Sequence, residues 1–253
     1  MKVIVTGATG TVGSAVLQRC IDHPSVSSVV ALTRRPLEIT SPKLNNIVHK
    51  DFLKYDQDVL DQLKGAQACI WYEIPQTWRG IEANCKLCRA LGSPTSGKEV
   101  HIDYTNTAID AFQTSLVPQL KEGQKFRFVY TSGGLVPYLA SSWLFFLGSW
   151  RTLRVSTVSL PCAFKADDMQ QEDLDQKILA LEKENPKWES FVVRPWHVVD
   201  EEPTSRIKLA MGWILRKELG AAMVDAALNS SEQRLLDNAQ LREKGQAALS
   251  KQP

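Results

Sequence analysis

Residues 1–13 of the chain read MKVIVTGATGTVG. The β-branched run at residues 3–5 predicts a buried strand, and the periodic pattern after residue 10 predicts a helix. Glycines at positions 7, 10 and 13 separate the two elements. They let the chain turn sharply and let backbone N–H groups approach a phosphate, while Thr9 and Thr11 add hydroxyl groups. The pattern predicts a phosphate-binding turn; a turn that serves packing alone is the alternative.

The second predicted strand ends in two adjacent arginines. Arg34 follows Gly13 by twenty-one residues, and Arg35 comes next. In dinucleotide sites an acidic residue at about this distance binds the ribose 2′-hydroxyl of NAD, whereas arginine accommodates the 2′-phosphate of NADP. Two guanidinium groups without an acid therefore favour NADP(H); a solvated basic turn is the alternative. Asp51 and Phe52 end the third predicted strand, where polar and apolar groups together can hold an adenine.

Short apolar runs alternate with helical segments along the chain. Strands are predicted at residues 2–7, 27–34, 45–52, 68–73, 126–132 and 190–199, and helices at residues 11–22, 56–64, 79–91, 99–121, 170–184 and 218–228. This alternation predicts βαβ units and an α/β fold with a doubly wound parallel sheet of the Rossmann type. We expect a single domain over residues 1–253, in which about 200–253 form a small, mostly helical C-terminal cap over the substrate and a tail.

Composition limits the classes of protein to consider. The chain has 253 residues, 43% of them apolar and 23% charged, as in an ordinary globular protein. The net charge is +2 without a basic block, so we expect no nucleic-acid partner. Five cysteines without framework spacing indicate reduced thiols. No signal peptide is visible, and the most apolar run, residues 135–148, is shorter than the ~20 residues that span a bilayer. These features predict a cytoplasmic protein without an integral membrane segment.

Together these features resemble the short-chain dehydrogenase/reductase superfamily, most of all its extended and atypical branches, which include NmrA-like fungal proteins. FRFVYTS (126–132) resembles the fifth strand of that family, which ends in serine. FVVRPWHVV (191–199) resembles a later strand, and LGAAMVDAALN (219–229) a C-terminal helix. The resemblance implies a Rossmann sheet and a nicotinamide cofactor. The residues predicted to bind NADP(H) are Gly7, Thr9, Gly10, Thr11, Val12, Gly13, Arg34, Arg35, Asp51, Phe52, Ser132 and Pro195.

The usual catalytic device of that superfamily is absent from this chain. In a Tyr-x-x-x-Lys pair, the lysine lowers the pKa of the phenol so that it can exchange a proton while hydride moves. None of the five tyrosines has a lysine four positions later; they are Tyr55, Tyr72, Tyr104, Tyr130 and Tyr138. Trp150-x-x-x-Arg154 stands where the pair would fall, and neither residue is a useful proton donor.

Three other residues are the candidates for catalysis. Ser132, at the end of a strand, can polarise a carbonyl by donating a hydrogen bond, or it is a turn serine. Tyr138 is a proton donor, a lid residue or a packing residue. His197 titrates near neutral pH and is a general base or a structural histidine. The aromatic run at residues 135–150 lines an apolar pocket, forms a core helix, or is the contact surface of a partner such as a second subunit in a homodimer.

Three functions follow from these residues. The first is an NADP(H)-dependent enzyme that reduces or oxidises a hydrophobic small molecule, by default a carbonyl compound or an enone. The second is a redox-neutral isomerase, cyclase or rearrangement enzyme on the same scaffold, which the missing Tyr-Lys pair favours. The third is a regulator that binds NADP without catalysis.

Overall fold

The computed structural model describes residues 1–72, 102–132, 163–203 and 212–251. The predicted helix at residues 79–91 and the aromatic run at residues 135–150 lie outside this part of the chain. So do three residues that the sequence singled out, Tyr138, Trp150 and Arg154.

The described residues contain nine strands. They are β1 (Lys2–Thr6), β2 (Ser28–Thr33), β3 (Leu44–Val48), β4 (Ala68–Trp71), β5 (Phe126–Thr131), β6 (Trp188–Val193), β7 (His197–Val199), β8 (Trp213–Leu215) and β9 (Leu235–Leu236). Seven form one parallel sheet in the order β3-β2-β1-β4-β5-β6-β9. The order reverses between β1 and β4, and ligands of such sheets bind outside the carboxyl ends of the strands at this point.

Helices cover both faces of the sheet. In the described residues they are α1 (Thr11–Asp22), α2 (Gln57–Leu63), α3 (Tyr104–Ser115), α4 (Ala163–Glu184), α5 (Arg216–Leu228) and α6 (Asn238–Ser250). One core cluster joins the sheet to α1, α5 and α6, and a second joins the opposite face to α2, α3 and α4. The predicted doubly wound α/β fold is confirmed. No helix of the described part is both long and apolar enough to cross a membrane.

The predicted single strand at residues 190–199 is wrong. The chain forms β6 up to Val193 and starts β7 at His197, and the two strands belong to different sheets. The break contains Pro195, which has no N–H group to continue the ladder. The predicted helix 99–121 is also shorter: α3 ends at Ser115, and a 3₁₀ turn with a proline in its first positions follows at Val117–Gln119.

The C-terminal helices form part of the sandwich. Leu219 and Met223 of α5 lie in the same core cluster as Val12 of α1, and Leu241 of α6 joins them. On this face of the sheet, α5 lies against β4 and β5, and α6 packs on α5. The function of about 200–253 as a cap over a substrate stays a prediction.

A buried carboxylate ties the strands together at their amino ends. Glu189, the second residue of β6, is 2% exposed. Its Oε2 accepts a hydrogen bond from Arg127 Nε at 2.9 Å, and its Oε1 accepts one from Ser230 Oγ at 2.7 Å. Arg234 Nη2 at 3.3 Å and Lys125 Nζ at 3.4 Å add two further cations. We call these residues the lower cluster.

Candidate functional site

Two of the glycines after β1 are required by the packing of the turn. Gly7 has φ +64°, and a Cβ there would overlap the carbonyl oxygen of Tyr72, which follows β4. A Cβ at Gly13 would overlap the carbonyl oxygen of Gly7. Thr6 Oγ1 fixes the same junction, since it accepts a hydrogen bond from Tyr72 N at 2.9 Å. The turn thus brings α1 onto the sheet at the point where the strand order reverses.

The start of α1 offers hydrogen-bond donors. Gly10 is the N-cap residue, with φ −92°, and no side chain caps this end of the helix. The first turn contains no acidic residue, and Thr9 and Thr11 are exposed. The first N–H groups of a helix have no acceptor within it and carry partial positive charge. These amides and hydroxyls fit a diphosphate chemically, as the sequence predicted for Gly10, Thr11 and Val12.

Arg34 and Arg35 lie directly after β2, beside this turn in the sheet order. Thr33 Oγ1 donates a hydrogen bond to the carbonyl oxygen of Arg35 at 2.7 Å and accepts one from Asn46 Nδ2 at 2.7 Å. Arg34 is half-buried and Arg35 is exposed. Neither has an ion-pair partner among the described residues. The two guanidinium groups are therefore available to an anionic ligand.

Asp51 and Phe52 have different surroundings. Phe52 is 3% exposed, and its ring centroid lies 5.9 Å from that of Trp71 and 5.8 Å from that of Tyr104. Asp51 is exposed, and its Oδ1 accepts a hydrogen bond from Leu53 N at 2.9 Å. Phe52 thus belongs to the core, and the contact of this pair with an adenine stays a prediction.

Ser132 is held in a buried polar cluster at the carboxyl ends of β5 and β6. Its Oγ donates a hydrogen bond to Asp175 Oδ2 at 2.8 Å, and its N–H donates to the carbonyl oxygen of Val193 at 2.9 Å. Arg194 donates to the same Oδ2 from Nε at 2.9 Å and from Nη2 at 2.7 Å, and Nη2 also binds Glu172 at 2.7 Å. We call Ser132, Asp175, Arg194 and Glu172 the upper cluster.

Asp175 is the most buried member of the upper cluster. It is 0% exposed, and its Oδ1 has no hydrogen-bond partner among the described residues. Burial raises the pKa of Asp175, the hydrogen bonds and charge of Arg194 and the bond from Ser132 lower it, and the charge of Glu172 raises it; the pKa lies above the ordinary value of 3.8. The side chain therefore binds a proton more readily than an exposed aspartate does.

The sequence did not single out Asp175, although a signal was present. Leu174, Ile178 and Leu181 are buried and recur at helical spacing, so they mark the face of α4 that meets the sheet. Asp175 adjoins this stripe. An acidic residue beside a buried stripe is rare unless it has a partner, which is reason enough to search for one.

Two other predicted residues lie farther along the chain. His197 begins β7, is half-buried, and pairs in register with Trp213 of β8. Pro195 is half-buried between β6 and β7. Their catalytic and cofactor-binding roles stay predictions. At the end of β4, burial raises the pKa of Tyr72 to about 12, so its phenol keeps its proton at neutral pH.

Comparisons with known proteins agree with this fold. No protein-family profile matches the chain. A 77-residue stretch is 33% identical to leucinostatins biosynthesis cluster protein T of Purpureocillium lilacinum; it covers 30% of this chain and 28% of that protein. The chain thus matches less than a third of this relative's length.

Solved structures match over much more of the chain. The oxidoreductase YlbE of Lactococcus lactis superposes with a TM-score of 0.54 at 15% identity, covering 99% of this chain and 97% of that one. A dTDP-glucose 4,6-dehydratase of Streptomyces venezuelae, solved with NAD bound, gives a TM-score of 0.58 at 15% identity, covering 99% and 80%. These structures confirm the Rossmann-type fold that the sequence predicts.

Proposed function

We propose that the chain is an NADP(H)-binding enzyme of the short-chain dehydrogenase/reductase type that acts on a hydrophobic small molecule. One observation supports the cofactor most directly. The uncapped start of α1 lies beside β2, at whose end Arg34 and Arg35 have no ion-pair partner in the described residues. Amide donors for a diphosphate and guanidinium groups for a 2′-phosphate thus occur on neighbouring strands.

In this proposal each part of the turn holds a different part of the cofactor. The amides of Thr11, Val12 and Gly13 bind the diphosphate, and Arg34 and Arg35 bind the 2′-phosphate. When bound, a nicotinamide dinucleotide supplies or accepts hydride. The upper cluster lies at the carboxyl ends of β5 and β6, two and three strands from β1, and faces the substrate.

The default reaction is reduction of a carbonyl compound or an enone, or its reverse. The matched oxidoreductase of Lactococcus lactis supports the reaction class, and the partial relative from a biosynthesis cluster supports a small molecule as substrate. A redox-neutral reaction is the second candidate. The chain lacks a Tyr-x-x-x-Lys pair, and one structural neighbour with NAD bound is a dehydratase, whose overall reaction removes water.

Cofactor binding is tested by titrating the protein with NADPH and with NADH, with the fluorescence of its seven tryptophans as the signal. We expect tighter binding of NADPH. Arg34→Glu should weaken NADPH binding about tenfold or more, ~1.4 kcal/mol per factor of ten, and change NADH binding much less. Lys187→Glu, at an exposed position before β6, makes the same charge change elsewhere and should have little effect. Unchanged NADPH affinity in Arg34→Glu would contradict the assignment.

The diphosphate position is tested at Gly10. Its φ of −92° is open to any residue, so Gly10→Ala adds a methyl group without backbone strain. We expect the variant to fold like the wild type and to bind NADPH more weakly. NADPH absorbance in the presence of aldehydes, ketones and enones then identifies a reductase by its loss. Binding without such loss leaves the redox-neutral enzyme and the regulator, and chromatography of the same compounds separates these two, since only the enzyme changes them.

A further inference from the structure

Asp175 joins the ends of two strands at the candidate site. We propose that Asp175 is the residue that stores the exchanged proton of the reaction, with Ser132 as its link to the substrate and Arg194 as the group that orients it. The inference rests on the proposed function, because it assigns a proton path to the same site. No Tyr-x-x-x-Lys pair exists in the chain to take that role.

The geometry gives a directed hydrogen-bond chain. Ser132 Oγ lies 2.8 Å from Asp175 Oδ2, so the serine proton already points at the carboxylate. Two bonds from Arg194, at 2.9 and 2.7 Å, fix that same oxygen. Ser132 is 6% exposed and Asp175 is 0% exposed, which excludes bulk water from the pair. A hydroxyl whose proton is committed to a carboxylate accepts a proton from a ligand better than it donates one.

The charge of the upper cluster leaves room for one proton. Arg194 Nη2 serves both Asp175 and Glu172, so one cation faces two carboxylates. When all its groups are ionised, the cluster carries a net charge of −1. Oδ1 of Asp175 is buried and has no hydrogen-bond partner in the described residues. Burial raises the pKa of Asp175, and Arg194 keeps the charged form accessible. A proton acceptor needs both effects, because it must hold either protonation state.

In the oxidative direction, the substrate alcohol gives up a proton and a hydride. The substrate alcohol loses its O–H proton to Ser132 Oγ while the Ser132 proton moves to Asp175 Oδ2. The hydrogen on the alcohol carbon leaves as hydride to the oxidised dinucleotide of the proposed function, which is thereby reduced. The products are a carbonyl compound, the reduced dinucleotide and a neutral Asp175. Reduction is the reverse, and Asp175 then returns to the carboxylate that Arg194 stabilises.

Asp175 acts through Ser132 and is therefore a positioning residue as well as a proton store. A purely structural Asp175 would only fasten α4 to β5 and β6. Asp175→Asn separates the two roles, because an amide keeps the volume and can still accept from Ser132 and Arg194, yet cannot take up a proton. Glu189→Gln of the lower cluster is the matched control, since it removes the charge from another buried, arginine-bound carboxylate.

The first measurement is carbon-13 NMR of the full-length protein with labelled aspartate carboxyls, titrated with and without NADPH. We expect a resonance that is missing from Asp175→Asn and that titrates above 3.8, the ordinary value. A resonance of Asp175 that titrates at or below this value would overturn the inference, whether or not a substrate is known.

The second measurement is turnover of primary and secondary alcohols with NADP⁺, and of aldehydes and ketones with NADPH. Asp175→Asn should lower kcat ~100-fold or more and remove one ionisation from the pH profile, while KM and NADPH affinity change little. Glu189→Gln should keep kcat and the profile. If Asp175→Asn keeps the kcat and the pH profile of the wild type while NADPH still binds, this inference is wrong and the proposed function stands. If the wild type does not bind NADPH, the proposed function itself fails.

Discussion

The lower cluster has more cations than carboxylates, whereas the upper cluster has more carboxylates than cations. In the lower cluster, three cations (Arg127, Arg234 and Lys125) face two carboxylates, Glu189 and the half-buried Glu182, and both oxygens of Glu189 accept hydrogen bonds. In the upper cluster, one arginine serves two carboxylates, and Asp175 Oδ1 has no partner among the described residues. The two clusters lie at opposite ends of β5 and β6, the strand pair that supports both.

The balance between burial and neighbouring cations sets the pKa of each carboxylate. Burial alone would raise the pKa of Glu189, but the bonds from Ser230 and Arg127 and the charges of Arg234 and Arg127 outweigh it, and the pKa falls below the ordinary value of 4.5. At Asp175, burial outweighs the hydrogen bonds from the one shared arginine and from Ser132, and the pKa rises instead. A carboxylate with an excess of cations stays charged and fastens strands, whereas one with a deficit can exchange a proton.

The largest effect is expected from removing the centre of the lower cluster. Glu189→Ala leaves Arg127 without its carboxylate partner and Arg234 with Glu182 alone. Breaking a buried ion pair from one side costs about 3–5 kcal/mol. Urea unfolding followed by circular dichroism measures the loss in free energy of unfolding. Lys125→Ala, which removes a 40%-exposed cation, should cost less than ~1 kcal/mol. Similar losses for the two variants would contradict the view that Glu189 centres the cluster.

A smaller effect is expected from the corresponding change in the upper cluster. Asp175→Asn keeps three acceptor contacts but loses their charge assistance, and it removes the cost of a buried charge. We expect the free energy of unfolding to fall by about 1–3 kcal/mol, less than for Glu189→Ala. The same urea experiment makes the comparison. If Asp175→Asn lost more free energy of unfolding than Glu189→Ala, the upper cluster, too, would mainly stabilise the fold.

A third effect concerns the link between Asp175 and β5. Ser132→Ala removes one buried hydrogen bond and should lower the free energy of unfolding by ~1 kcal/mol. That bond also lowers the pKa of Asp175, so its removal should raise the pKa further. Carbon-13 titration of Asp175 in the variant detects this shift. A pKa that stays the same or falls would mean that the hydroxyl does not bind the carboxylate in solution.

The smallest expected effect is the pH dependence of the free energy of unfolding, which has opposite signs for Glu189 and Asp175. Stability contributed by Glu189, whose folded pKa is lowered, is present above its unfolded pKa and is lost as pH falls through the folded pKa. For Asp175, whose folded pKa is raised, stability is present below the unfolded pKa and is lost as pH rises through the folded pKa.

Unfolding curves of the wild type, Glu189→Gln and Asp175→Asn between about pH 3 and about pH 8 test both signs. The difference in free energy of unfolding between the wild type and Glu189→Gln should become smaller as pH falls. The difference between the wild type and Asp175→Asn should become smaller as pH rises. If both differences change in the same direction with pH, the two carboxylates do not have pKa values shifted in opposite directions.

Local patterns predicted the fold, and contacts between distant residues formed the clusters. The glycine turn and the apolar runs specify β1, α1 and the neighbouring strands within a few residues of each position. Ser132 and Asp175 are 43 residues apart, and Arg127 and Glu189 are 62 apart. No spacing rule connects such pairs before the parallel sheet brings them together. Pro195 is a local signal that the strand prediction overlooked, since its missing N–H group divides the predicted strand at residues 190–199.

The glycine turn also bears on how such chains are recognised. Gly7 and Gly13 are fixed by contacts inside the protein, with Tyr72 and with each other, so a descendant that stopped using a dinucleotide would still need both. Gly10 has a φ that any residue adopts, and Thr9 and Thr11 are exposed. In a survey of proteins with this turn, glycines at positions 7 and 13 would therefore indicate the fold, and the residues at positions 9 to 11 would indicate whether a dinucleotide binds.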